Sequence, residues 1–206
     1  MRSWKGILAI LIVTILVTAI AVPGFAGSGG LYEMSIFENP TTFNLFSATG
    51  PQSTVWNDFV SSSQYYTSLY GLAQPYLVFV PSVAQDMPSE LKQEKIGGKT
   101  YYTSIVKIRK DIKWSNNTPL TADDVVFSYN AILDMDPNKL GGNWPSIVDP
   151  EVLERVEKID DYTVKFILKG KPGLAQWQYG LLQGYLLNKS YWEPVFAKAK
   201  KAADPV

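Results

Sequence analysis

The chain predicts an α/β fold, on three observations. KQEKIGGKTYYTSIVKIRK (92–110) alternates around a Gly97-Gly98 turn, as two strands of a hairpin do. TADDVVFSYNAIL (121–133) repeats its apolar residues at helical spacing behind a threonine suited to an N-cap. YTVKFILK (162–169) alternates again and reads as a strand, with Val164, Phe166 and Leu168 on one side.

The elements follow in order. Met1 to about Ala26 reads as an export signal: Arg2 and Lys5 form a positive head, and Ile7–Val22 runs without charge until Pro23-Gly24. Those 16 residues fall short of the ~20 that span a bilayer, which favours a cleaved signal over the alternative, an N-terminal anchor. Residues 27–30 form a flexible leader, and about 180 residues remain for one domain with a real core. LYEMSIF (31–37) is expected as an opening strand ended by Asn39-Pro40, residues 44–63 as loop, and SQYYTSLYGLA (63–73) as helix. Pro75 and Pro81 divide the next part into short pieces.

In the second strand of 92–110, Tyr102, Ser104, Val106 and Ile108 share one face, and Thr103, Ile105, Lys107 and Arg109 the other. An Asn116-Asn117 turn leads to the helix that starts at Thr121 and stops at Asp136-Pro137. NKLGGNWPS (138–146) is a loop carrying Trp144, PEVLERVEKI (150–159) a short helix, and Asp160-Asp161 a turn. A last amphipathic helix is expected from about Pro194. It runs out at Val206 without a closing strand or cap, which reads as a chain cut short. No internal repeat or low-complexity block appears.

Composition excludes several classes. Lys plus Arg and Asp plus Glu each number 19, so removing Arg2 and Lys5 leaves 17 basic against 19 acidic residues. That balance gives no reason to expect nucleic acid as a partner. With no Cys there are no disulfides and no lipid-bearing cysteine. With no His either, Ser-His-Asp triads and His/Cys metal sites are unavailable, and no cofactor or metal is expected. Aromatics make up 13% of the chain and supply flat surfaces for peptide backbones and sugar rings as well as core.

Asp123 and Asp124 are the one paired-acid feature that could be read as catalytic. Thr121 fits an N-cap, Asp124 can reach back to it as a capping box, and both acids sit where the helix dipole favours negative charge. Adjacent residues also diverge by about 100° around a helix axis, so the two would not face one substrate together. Both are therefore read as parts of a helix start.

SIVKIRKDIKWSNNTPLTADDVVFSYNAIL (104–133) resembles the signature region of the family 5 extracellular solute-binding proteins. Its parts are Arg109, Asp111, Trp114, Asn116-Asn117, Pro119 to Val125 and Phe127-Ser128-Tyr129. NPTTFNLFS (39–47), PSVAQD (81–86) and VEKIDDYTVKFILK (156–169) extend the likeness, so that it covers about 31–195. Asn116-Asn117 stands where the family has Asp-Gly, and Asn tolerates the left-handed turn.

The resemblance implies the N-terminal part of a two-lobed, periplasmic-binding-protein-like fold of type II with an extra subdomain. Residues 31–206 would hold the start of the first lobe and the inserted subdomain, without the C-terminal lobe. It implies no enzyme but the substrate-binding component of an ABC importer. That component is exported to the periplasm or cell surface and captures peptides, or oligosaccharides, for a membrane permease. The expected state is a monomer, completed by a missing C-terminal part. Asn39, Pro40, Thr41 and Trp144 are the candidate ligand contacts, with Trp177 and Tyr179 as a weaker pair. Trp114, Asn116, Asn117, Pro119, Thr121, Asp123 and Asp124 are assigned to structure. Two alternatives remain open: a degenerate, membrane-tethered interaction module without a ligand, and a secreted carboxylate-based glycoside hydrolase.

Overall fold

The computed structural model describes residues 35–41, 54, 56, 66–135 and 148–201. The chain divides into two units, Met1–Phe37 and Glu38–Val206. In the first, residues 35–37 form no strand, contrary to the opening strand expected over 31–37, and residues 31–34 lie outside the described residues. All regular elements named below belong to the second unit.

Of residues 44–63, expected as loop, only 54 and 56 are described, and Trp56 is helical. The first named strands of the unit form a hairpin. β1 (Tyr70–Ala73) pairs antiparallel with β2 (Val78–Pro81), Tyr70 opposite Pro81 and Ala73 opposite Val78. The helix expected over 63–73 is thus corrected: its described part is extended, and Ser68 is bridged to Tyr185. Tyr and Leu suit a strand, Gly71 weakens a helix, and the Tyr70 ring gains a stacked partner across the hairpin in Phe79, centroids 4.9 Å apart.

The main sheet is antiparallel, in the order β3-β4-β6-β5. β3 (Lys92–Ile96) and β4 (Lys99–Lys107) join through Gly97 and Gly98, with φ of 56° and 83°. Two left-handed residues are what a two-residue hairpin turn demands, and glycine supplies them without steric strain. β5 (Leu153–Asp160) and β6 (Thr163–Leu168) form the second hairpin. Here the helix expected over 150–159 is corrected to a strand. Leu153 lies opposite Leu168 but Arg155 opposite Ile167, so a bulge adds one residue to β5. Leu153 and Val156 thereby both reach the core while three residues apart, a spacing that imitates a helix.

α1 (Ala122–Asp134) lies across β5 and β6 and buries Val125, Tyr129 and Ile132. Tyr129 meets Phe166 edge-on at 5.1 Å and donates its hydroxyl to the Leu181 carbonyl at 2.5 Å. Asn130 serves the edge strand: its amide nitrogen donates to the Val156 carbonyl (2.8 Å) and its oxygen accepts from the Val156 amide (2.9 Å). The opposite face of the sheet is ionic. Lys165 pairs with Glu94 at 2.6 Å and Arg155 with Glu157 at 2.6 Å. The Lys165 ammonium, with the Thr103 hydroxyl, holds the Glu94 carboxyl below the usual carboxylate range.

After β6 come α2 (Leu174–Trp177), a 3-10 turn at Leu181–Gln183, and α3 (Lys189–Ala199). α3 begins five residues before the expected Pro194. Asn188 starts it by accepting from the Tyr191 amide at 3.4 Å, and Pro194 removes a single intrahelical bond from a helix whose Phe196 is buried. The helix stop at Asp136-Pro137 and the Trp144 loop lie outside the described residues. No helix among the described residues is long and apolar enough to cross a membrane.

Candidate ligand-binding site

The segment from Arg109 to Asp134 is a scaffold whose turn and helix start are held by side-chain hydrogen bonds. Arg109 grips Asp111 with two nitrogens, at 3.0 and 2.6 Å, and so holds that carboxyl below its usual range. Asn117 takes φ 65° and donates its amide to the Trp114 carbonyl at 2.8 Å, while the Asn116 side chain accepts from the Thr118 amide at 3.1 Å. Pro119 is bridged to Lys113. Trp114 packs half-buried against the core, and its Nε1 is buried without an acceptor.

Thr121 is extended and precedes α1 as N-cap, and its amide donates to Asp124 Oδ2 at 3.0 Å, the carboxylate half of a capping box. Asp124 does more. It is buried, and its Oδ1 accepts from the Lys189 amide at 2.9 Å, so one carboxylate holds the first turns of both α1 and α3. One turn further on, Ser128 accepts from the Leu187 amide at 2.8 Å and donates to the Asp124 carbonyl at 2.6 Å. Asp123 points outward to Lys158 at 2.7 Å. Lys158 also reaches Asp161 at 2.8 Å, and these hydrogen-bonded carboxylates raise its pKa above the usual lysine range. Both acids border an open pocket beside Asn188 and Glu193, but each carboxylate is held by its own partners.

The remaining candidates are scattered. Asn39 and Thr41 are exposed, with Pro40 half-buried between them. Trp144 lies outside the described residues. Trp177 is only 6% exposed and sets its ring edge-on to Phe166 at 5.5 Å, which places it in the core. Tyr179, two residues later, is 48% exposed and tilts against Phe79 at 6.5 Å. At Gly180, the next residue, a Cβ would stand 2.7 Å from the Gln176 carbonyl oxygen.

Sequence reasoning missed Ser128, Asn130 and Lys189 as scaffold residues. The four-residue spacing of Asp124 and Ser128, two polar residues on the buried side of an amphipathic helix, was the available signal. It also missed Tyr185 and Tyr191, which lie near Tyr66. The Tyr66 and Tyr185 ring centroids are 6.1 Å apart, and burial with the Tyr191 charge raises the Tyr66 pKa. A groove of about 340 Å³ runs between α1 and α3, lined by Phe127, Ala131, Phe196 and Ala197, with Asp134 and Lys200 at its rim.

Among solved structures, AppA of Bacillus subtilis, determined in complex with a nonapeptide, matches with a TM-score of 0.55 at 28% identity. The match covers 79% of this chain and 29% of that one. A mannohexaose-bound periplasmic oligopeptide-binding protein of Thermotoga maritima matches with a TM-score of 0.54 at 22% identity, over 78% and 26%, and shows the fold alone. The described unit is thus part of a type II periplasmic-binding-protein fold, of mixed α/β class. The model of the bacterial extracellular solute-binding proteins, family 5 Middle, matches residues 79–205, and the chain belongs to this family. Curated relatives include the oligopeptide-binding protein AppA of Bacillus subtilis, 32% identical over 126 residues, 59% of this chain and 21% of the relative. The dipeptide-binding protein of Escherichia coli is 30% identical over 124 residues, 53% and 23%. The matched region spans less than a quarter of the length of either curated relative.

Proposed function

We propose that the chain takes part in capturing peptides for an ABC importer, at the periplasmic or cell-surface side of the membrane, without altering them chemically. Family membership over 79–205, with relatives named for oligopeptide and dipeptide binding, is the observation that carries this reading. The commitment of Asp124 to two helix starts and of Asp123 to Lys158 supports binding over carboxylate catalysis. Ligand would stabilise closure of a two-lobed protein, which then engages its permease. Asn39, Pro40, Thr41, Trp144 and Tyr179 are the contacts this proposal assigns. Trp177 acts from beneath, as packing for the segment that presents Tyr179.

Calorimetric titration of the chain with peptide and oligosaccharide panels tests the proposal. Saturable peptide binding by a monomer is expected. Failure to bind either class, together with association with a second polypeptide, would replace it with the interaction-module reading.

A further inference from the structure

Tyr179 stands half-exposed in a segment that is pinned on both sides of it. Before it, Trp177 sets its ring edge-on to Phe166 at 5.5 Å. After it, the Leu181 carbonyl accepts from the buried Tyr129 hydroxyl, and the Leu186 amide donates to the Thr67 carbonyl at 2.8 Å. The Gln178 carbonyl accepts from the Gln183 side-chain amide at 3.0 Å, which closes the turn around Tyr179. The backbone that carries this tyrosine is therefore held, and its side-chain torsions remain to be set.

The β1–β2 hairpin sets them. The Tyr179 ring tilts against Phe79 at 6.5 Å, and Phe79 stacks in turn on Tyr70 at 4.9 Å, with 17° between the planes. Both separations lie within the about 4.5–7 Å over which aromatic rings attract one another. Tyr70 is fully buried and donates its hydroxyl to the Asp86 carbonyl at 2.8 Å, so the ladder is anchored at its inner end. It runs from that buried ring through the half-buried Phe79 to Tyr179 at the surface.

We propose that Phe79 is a positioning residue for ligand capture, holding the Tyr179 ring in the orientation that meets the peptide without touching the peptide itself. The inference rests on the role assigned above to Tyr179 as a peptide contact, and adds the residue through which that contact is organised. A ring ordered before the ligand arrives loses less freedom on binding, so more of its contact energy appears as affinity.

The test combines binding with the state of the free ring. The full chain is titrated calorimetrically with the tightest-binding peptide of the panel described above. Phe79→Leu should weaken binding about 2- to 10-fold, the factor an aromatic pair corresponds to. Phe79→Met, a second ringless filler, should behave alike, and Phe79→Tyr, which keeps the ring, should bind as the wild type does. Tyr179→Ala should weaken binding at least as much as Phe79→Leu, and the double variant no more than Tyr179→Ala alone. In NMR of the free chain, the Tyr179 ring protons are identified by their loss in Tyr179→Ala. They should move towards the shifts of a solvated tyrosine in Phe79→Leu and hold in Phe79→Tyr. No peptide binding by the wild type would overturn the capture reading, and this role with it. Additive losses in the double variant, wild-type affinity in Phe79→Leu, or unmoved Tyr179 protons would overturn the role of Phe79 while capture stands.

Discussion

Replacing Asp124 tests how this unit is held together. Its carboxylate accepts from two backbone amides in different helices, Thr121 at 3.0 Å and Lys189 at 2.9 Å. A hydrogen bond to a charged group contributes about 1.5–3 kcal/mol, and water can reach part-buried amides to recover some of that loss. Asp124→Ala should therefore cost about 2–4 kcal/mol, a large share of the about 5–15 kcal/mol available to a folded domain. Asp124→Asn keeps one acceptor oxygen and should cost about 1–2 kcal/mol. Asp123→Asn loses only a half-exposed ion pair with Lys158, worth about 1 kcal/mol or less. Urea denaturation followed by tryptophan fluorescence gives the three values. Hydrogen exchange adds locality, since amides of Leu187 to Trp192 should lose protection in Asp124→Ala but keep it in Asp123→Asn. Equal costs for the two aspartates, or unchanged exchange at the start of α3, would refute the double-cap argument.

Four further substitutions have outcomes set by the structure. The Tyr162 amide donates to Asp160 and holds its carboxyl below the usual range, so the interaction is fully present above about pH 4 and lost as pH falls through the lower folded value. Asp160→Asn should accordingly make the fall of stability with acid shallower, and an unchanged acid limb in pH-dependent melting would contradict this. Gly180→Ala drives a Cβ to 2.7 Å from the Gln176 carbonyl oxygen and should cost about 1–3 kcal/mol, read as a lower melting temperature. Trp177→Ala should cost about 3–5 kcal/mol because it empties a core position against Phe166. Tyr179→Ala, half-exposed, should leave stability nearly unchanged and weaken peptide binding in titration.

The parts legible in the sequence were those governed by neighbours along the chain. The Gly97-Gly98 turn, the Asn116-Asn117 turn and the alternation in β6 depend on local backbone chemistry, and the structure has them where the pattern puts them. β5 was misread because a bulge converts a period of two into an apparent period of three. The 66–73 segment was misread because its strand character comes from Phe79 and Tyr185, partners that a local pattern does not display. The site divides in the same way. Thr121 and Asp124 were readable as one helix start, but the second partner of Asp124 lies 65 residues away in sequence and becomes a neighbour only on folding. Trp177 and Tyr179 look alike as aromatics in a short run, and only their packing in the fold divides them between core and surface.

Mass spectrometry of peptides recovered after prolonged incubation with the chain bears most directly on capture without chemistry. The account predicts that bound peptides return intact, from the wild type and from Asp123→Asn and Asp124→Asn alike. Cleaved products that appear with the wild type and disappear with either substitution would contradict it.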